Sequence, residues 1–111
     1  MEQIEFSDFD KVDVRVGQIV DVEDFPRARQ PSYKVTVDFG EELGSRRSSV
    51  QATNYPKAEL VGSQVVCVVN LGPKNIAGFE SEILVLGVPG ADGDLSLLKP
   101  SRVAKLGSRM Y

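Results

Sequence analysis

The chain has 111 residues and a formal net charge of −3, and its length suits one domain, residues 1–111, with its own hydrophobic core. It contains no histidine, which excludes histidine-based nucleophile pairs, general bases and metal ligands, so we expect no enzymatic activity, cofactor or metal site. Its single cysteine, Cys67, lies in the apolar run VVCVV, where we expect a buried core residue and no internal disulfide.

Charge and hydropathy also limit the location and the partners of the protein. Residues 1–24 are acidic, and the rest of the chain is only mildly basic, less so than is typical of nucleic-acid-binding proteins. The N-terminal segment lacks the basic and apolar regions of a signal peptide, and no apolar run approaches the roughly 20 residues of a membrane helix. We therefore expect a cytoplasmic protein without membrane insertion.

Apolar residues at every second position predict the first three strands. Residues 12–22 alternate in this way, with Gly17 as a candidate β-bulge. Residues 33–39 give the most regular pattern, and a glycine-flanked connection leads to a third strand over residues 46–52. The outward positions of the third strand are Arg47, Ser49 and Gln51.

The second half of the chain predicts one helix and further strands. Residues 54–61 indicate a short helix closed by Gly62. The apolar runs 64–69 and 83–88 predict two buried strands, and residues 95–100 predict a weaker last strand. A helix between the third and fourth strands is typical of an OB-fold, an all-β, five-stranded Greek-key barrel, here with N- and C-terminal extensions.

The segment between the two buried strands is the main candidate for a functional site. Residues 70–82 are polar and are broken by glycine and proline, with Ile76 and Phe79 as apolar exceptions. Loops of this kind usually hold functional residues, and a small barrel presents such a loop at one rim. No phosphate-binding glycine motif is present, since the glycines are scattered at turns.

Several motifs together resemble the tRNA-binding domain family of OB-folds. They are DKVDVRVGQIVDVEDFP, VDFGEE, SSVQ and VVNLGPKNIAGFESEILVLG, and the similarity spans about residues 6–100. Within the family, the chain is most similar to the free-standing CsaA-type secretion chaperones. The resemblance implies a homodimer that binds unfolded or precursor polypeptides and delivers them to the export machinery, without breaking a bond.

The chain also departs from the pattern of the tRNA-binding members of this family. It has Phe25 where they carry the histidine of a His-Pro pair, and it has Ser81 to Leu84 where they carry an SxGM-like segment, which puts the acid Glu82 where a phosphate would need to approach. It has fewer lysines around Asn70 and Lys74. Because RNA is bound mainly through neutralised phosphates, these changes favour a polypeptide ligand, and tRNA binding is kept as the alternative function.

Three sets of candidate residues follow from these considerations. The candidate polypeptide contacts are Phe25, Tyr33, Ser49, Gln51, Asn70, Pro73, Lys74, Ile76, Phe79 and Ser81. The candidate RNA contacts are Arg46, Arg47, Asn70, Lys74 and Ser81. The candidate dimer contacts are Ile4, Phe6, Phe9, Leu106, Met110 and Tyr111.

Some of these residues have an alternative structural role. Tyr33 begins a strand at an inward position, so it is also a candidate core residue. Phe79 could anchor its own loop on the barrel, and Asn70 could cap backbone groups at the end of a strand. Arg46 and Arg47 could form a solvated hairpin edge, and the apolar terminal residues could close the ends of the barrel within one chain.

Overall fold

The structure is a computed structural model that describes residues 1–111. Its elements are two short helices and nine strands, of which the first strand is the longest. In chain order they are α1 (Phe6–Asp10), β1 (Val14–Asp24), β2 (Tyr33–Asp38), β3 (Ser45–Val50), α2 (Lys57–Leu60), β4 (Gln64–Val68), β5 (Lys74–Ile76), β6 (Phe79–Ser81), β7 (Leu84–Val85), β8 (Gly87–Pro89) and β9 (Leu95–Leu97). Neither helix has the length and hydropathy needed to span a bilayer.

The main sheet has five strands in the order β3-β2-β1-β4-β7 and curves into a nearly closed barrel. All of its neighbours are antiparallel, with Val22 opposite Val35 and Val14 opposite Val68. The short helix α2 lies between β3 and β4, as the sequence predicted. The OB-fold prediction is therefore confirmed.

The core is built by the alternating residues of the predicted strands. Val35, Val37 and Phe39 are at most 1% exposed, because an extended chain directs every second side chain to the same face. Cys67 is also fully buried in this core, and burial raises the pKa of its thiol to about 12. The prediction of a buried core cysteine is confirmed.

Gly17 has a different role from the one that we predicted. The register shift of β1 lies between Ile19 and Asp21, so Gly17 is not the bulge. A Cβ at position 17 would lie 2.8 Å from Cε1 of Phe39 and would also contact Val37. Glycine is needed here because β1 passes directly over the core side chains of β2.

The apolar run over residues 83–88 does not form one buried strand, which corrects the prediction. Ile83 is 5% exposed, but Leu84 and Val88 are 47% and 46% exposed. The two residues of β7 pair with β4, and the chain then leaves the sheet to form the separate β8–β9 hairpin. Beyond β7, Leu86 is half-buried and donates its N–H to the carbonyl of Val66, whereas Val88 is exposed, so the run is not enclosed between two layers.

The predicted helix over residues 54–61 is also shorter in the structure. It is limited to α2 because Pro56 and Val61 on either side have extended backbone angles. Gly62 follows with a φ of +91°, the conformation that favours glycine after a helix.

Side chains from the β6–β7 connection complete the barrel against the open edge of β3. The backbone N–H of Ser49 donates to Oγ of Ser81 at 3.1 Å, and the N–H of Arg47 donates to Oε1 of Glu82 at 2.9 Å. One backbone bond joins the same two segments, from the N–H of Glu82 to the carbonyl of Arg47 at 2.8 Å. Oγ of Ser48 also donates to the carbonyl of Ile83 at 3.1 Å, so this closing seam depends largely on two serine hydroxyls and one carboxylate.

The C-terminal extension continues the sheet alongside the start of β1. Gly107 N–H donates to the carbonyl of Val16, Val16 N–H to that of Ser108, and Met110 N–H to that of Val14. These bonds use the part of β1 that precedes Gln18, where β1 does not pair with β2. Gly107, with a φ of +84°, passes close to the backbone of Phe39, which leaves no room for a side chain.

Candidate functional site

The polar segment after β4 contains a small β-hairpin. Strands β5 and β6 pair with Lys74 opposite Ser81 and Ile76 opposite Phe79. The turn consists of Ala77 and Gly78, with φ values of 49° and 85°. Both are positive, as a type I′ two-residue hairpin turn requires. The segment therefore presents a defined turn beside the barrel.

Two aromatic rings attach this hairpin to the barrel. Phe79 of β6 packs edge-on against Phe25, which follows β1, with ring centroids 5.5 Å apart and an interplanar angle of 67°. Phe25 and Phe79 are only 5% and 8% exposed. Their burial and edge-to-face geometry make the pair a structural anchor that also forms the floor of the adjacent surface.

Two cations lie over this aromatic pair. Nζ of Lys34, on the outer face of β2, is 4.9 Å from the centroid of Phe25 and 5.2 Å from that of Phe79. The guanidinium carbon of Arg47 is 4.8 Å from the centroid of Phe79, and Arg47 also pairs with Glu23 at 2.7 Å. All three distances to the rings are within the range of cation–π attraction.

Three neighbouring cavities share lining residues at this end of the barrel, and we refer to them together as the groove. The first, of about 240 Å³, lies between the Ala77–Gly78 turn and the chain after β1. It shares Phe25 and Pro26 with a second cavity of about 520 Å³, which follows the β1–β2 connection. The second shares Pro31 and Thr53 with a third cavity of about 400 Å³ beside the β8–β9 hairpin.

The groove includes some of the predicted polypeptide contacts. Besides Phe25 and Phe79, Tyr33 lines the second cavity and Gln51 lines the third. Tyr33 is half-buried and donates its hydroxyl to the carbonyl of Tyr55 at 2.9 Å, so it also supports the core. Ser49 lies on the outer face of β3, outside the cavities.

Asn70 and Ser81 use their polar groups within the chain. The Asn70 side chain accepts from the N–H of Asp13 at 2.9 Å and donates to the carbonyl of Lys11 at 2.7 Å, which ties the end of β4 to the N-terminal segment. Ser81 is 8% exposed, and its hydroxyl belongs to the closing seam. Their ligand role stays a prediction, although the structural role of each is defined.

The remaining candidates line none of the three cavities. Pro73 and Lys74 are exposed and Ile76 is half-exposed on the β5 strand and its approach. Lys74 forms no ion pair. Arg46 is half-buried and donates from Nε to the carbonyl of Leu43 at 3.2 Å.

A second apolar surface lies where the two termini meet. Phe6, Phe9 and Val12 line a cavity of about 420 Å³ together with Met110 and Tyr111. These side chains are exposed, and Ile4 is exposed nearby in the chain. Leu106, by contrast, is half-buried in a different cavity beside Phe39 and does not belong to this terminal patch.

An ion-pair network holds the termini at this position. Arg15 binds the Asp13 carboxylate through two nitrogens, at 2.6 and 3.2 Å, and donates to the carbonyl of Gly107 at 3.0 Å. Arg109 lies 3.6 Å from the same carboxylate and donates to the carbonyl of Asp10. The hydrogen bond from Arg15, assisted by the charges of Arg15 and Arg109, lowers the pKa of Asp13.

The sequence did not single out Lys34 and Arg27 as site residues. Lys34 was assigned only to the outer face of a strand, and its neighbour Phe79 is distant in the chain. Arg27 lines the first cavity with Lys34. Two arginines close together after Pro26 were the only local signal for Arg27, and nothing local indicated Lys34.

A comparison with known families identifies the chain. Residues 14–109 match the family model described as "Putative tRNA binding domain". The chain belongs to the tRNA-binding domain family. Curated proteins similar to the chain include the methionine–tRNA ligases of Methanocaldococcus jannaschii, 36% identical over 110 residues, and Thermococcus onnurineus, 38% identical over 110 residues.

The similarity to these ligases is limited to one part of them. The match covers 99% of this chain in both cases, but only 17% and 15% of the two ligases. The chain therefore spans about a sixth of the length of the curated relatives that it matches.

Two solved structures of this family correspond to the chain along their whole length. The CsaA chaperone of Picrophilus torridus is 44% identical, with a TM-score of 0.92, and the match covers 98% of this chain and 100% of the other. The CsaA chaperone of Bacillus anthracis is also 44% identical, with a TM-score of 0.90 and coverage of 99% and 100%.

Proposed function

We propose that the protein is a homodimeric chaperone that binds unfolded or precursor polypeptides in the cytoplasm and passes them to the export machinery. The observation that carries this proposal is the correspondence with two CsaA chaperones over the full length of both chains at 44% identity. The groove on the barrel supplies a surface of suitable shape for an extended chain. Binding and release require no catalytic group.

The groove combines the features that an extended peptide needs. Phe25, Pro26 and Pro31 provide apolar contacts, and Gln51 provides amide groups for the peptide backbone. An extended segment advances about 3.3 Å per residue, so several consecutive residues can lie across the three cavities. Apolar side chains would enter the depressions while the backbone is hydrogen-bonded at their edges.

The terminal patch supports the homodimer within this proposal. Phe6 is 76% exposed, Met110 is 43% exposed and Tyr111 is fully exposed, and they share one cavity. A second copy placing the same patch against it would remove this apolar surface from water. Sedimentation equilibrium should give twice the 12.1 kDa chain mass at micromolar concentration, whereas a 12 kDa species would contradict the dimer.

Binding of tRNA is the second candidate function, favoured by the description of the family and by the ligase relatives. In this chain, however, Arg47 is already paired with Glu23, and Glu82 adds another carboxylate beside it. A phosphate contact needs an available cation, and Arg47, one of the candidate RNA contacts, is not available while it is paired with Glu23. We therefore place polypeptide binding first.

One experiment distinguishes the two functions. A fluorescently labelled unfolded precursor peptide and labelled tRNA are titrated with the full chain at 50 and 200 mM salt. The chaperone function predicts peptide affinity that changes little with salt, because apolar burial contributes much of it. Tight tRNA binding that falls by orders of magnitude with salt, combined with no peptide binding, would require the tRNA function instead.

A groove-filling variant tests the location of peptide binding. Thr53 is exposed and lies between the second and third cavities, so Thr53→Trp should block the groove and weaken peptide binding at least tenfold. Ala58→Trp is the matched control, because Ala58 is exposed on α2 and lines none of the three cavities. Equal peptide affinity of the two variants would place the binding site elsewhere.

A further inference from the structure

We propose that the cavity beneath the Ala77–Gly78 turn is a carboxylate subsite, which binds an Asp or Glu side chain of the client polypeptide. This inference rests on the proposed chaperone function and specifies one feature of the clients. The subsite is formed by Lys34 and Arg27 above the buried Phe25–Phe79 pair. It therefore predicts that clients combine apolar residues with an acidic residue in a fixed position.

The two cations of this cavity have no anionic partner within the chain. Lys34 and Arg27 take part in none of the ion pairs, although Glu23 lies directly opposite Lys34 across β1 and β2. Glu23 binds Arg47 instead, at 2.7 Å. Lys34 thus keeps an uncompensated charge at a half-buried position, where an added carboxylate is attracted more strongly than at a fully exposed one.

The aromatic pair fixes the position of the Lys34 ammonium group. Because Nζ lies 4.9 and 5.2 Å from the two ring centroids, the long side chain is directed along the floor of the cavity. Both rings are themselves held by their mutual edge-on contact. A cation that is already positioned loses less conformational entropy when a carboxylate binds.

Size and stacking favour a single side chain over a nucleotide. The cavity has about 240 Å³, below the roughly 300–1,000 Å³ typical of sites for complete small ligands. Non-specific binding of single-stranded RNA relies on aromatic faces that stack with bases. Here Lys34 and Arg47 occupy positions over the rings of Phe25 and Phe79, so these faces are not free for a base.

The experiment compares two fluorescent peptides of an unfolded precursor that differ only in a central Glu or Gln. Binding of each is measured by anisotropy for the full-length wild-type chain, Lys34→Gln, Arg27→Gln and the control Lys99→Gln, whose side chain lies outside the groove. The wild type and Lys99→Gln should bind the Glu peptide about fivefold more tightly than the Gln peptide. Lys34→Gln should bind both equally, and Arg27→Gln should reduce the preference.

The possible results separate this inference from the proposed function. Equal binding of the two peptides by the wild type, or a preference that persists in Lys34→Gln, would overturn the subsite and leave the chaperone function intact. Binding of neither peptide would overturn both. If tRNA displaces the peptides and Lys34→Gln weakens tRNA as strongly as the Glu peptide, the cavity is a phosphate site and the carboxylate assignment is wrong.

Discussion

Removal of the Phe79 side chain tests whether the hairpin depends on its contact with Phe25. Phe79 is 8% exposed, and truncation of a buried phenylalanine to alanine typically costs about 3–5 kcal/mol. The edge-on pair with Phe25 contributes about 0.5–1.5 kcal/mol beyond burial alone. Because the hairpin lies at the periphery and can partly collapse, we expect Phe79→Ala to lower the free energy of unfolding by about 3 kcal/mol.

The measurement is urea unfolding at pH 7 with the wild type in parallel. For a denaturant dependence of about 2 kcal/mol per molar, the midpoint should fall by about 1.5 M. Leu71→Ala, in the same segment but at a side chain that is 53% exposed, is the matched control and should change stability by less than about 0.5 kcal/mol. A Phe79→Ala loss as small as that of the control would refute the anchoring role of the aromatic pair.

Three further predictions concern other parts of the barrel. Gly17→Ala should destabilise by about 1–3 kcal/mol in thermal or urea unfolding, because its Cβ would overlap Phe39; an unchanged midpoint would contradict the packing argument. Asp13 has a folded-state pKa below its usual 3.8, so its contribution to stability is present above that pH and is lost as pH falls through the lowered pKa; Asp13→Asn should flatten this acid-induced loss in pH-dependent unfolding. Cys67, with a pKa of about 12 and no exposed surface, should react with iodoacetamide only after denaturation, and rapid labelling of the native chain would contradict its burial.

The sequence was sufficient to predict the strands that alternate regularly. Along β2 and directly after it, the inward residues Val35, Val37 and Phe39 are buried in the structure and Tyr33 is half-buried, because a half-buried strand must separate apolar from polar side chains by face. The position of α2 between β3 and β4 was predicted equally well, since Pro56 and Gly62 mark its limits in the chain. These features are determined by residues that are close together in the chain, so they can be predicted from one sequence.

Features that depend on contacts between distant residues were not predictable in the same way. The pairing of Phe25 with Phe79 and the position of Lys34 over both rings arise only when the hairpin folds back on the barrel. The burial of Ser81 likewise follows from the edge of β3 that it completes. The apolar run after Ile83 was misinterpreted because hydropathy alone does not show where a strand leaves its sheet.

The closing seam gives this barrel a joint whose strength is set by individual side chains. In an ordinary antiparallel ladder, backbone groups that every residue carries provide the bonds, and most substitutions leave them unchanged. Between β3 and the β6–β7 connection, Ser81 and Glu82 supply two of the acceptors. Substitution at either position can therefore change how readily the barrel opens beside the groove while the five-stranded sheet stays the same. Amide hydrogen exchange at Arg47 and Ser49 would report this local opening separately from global unfolding.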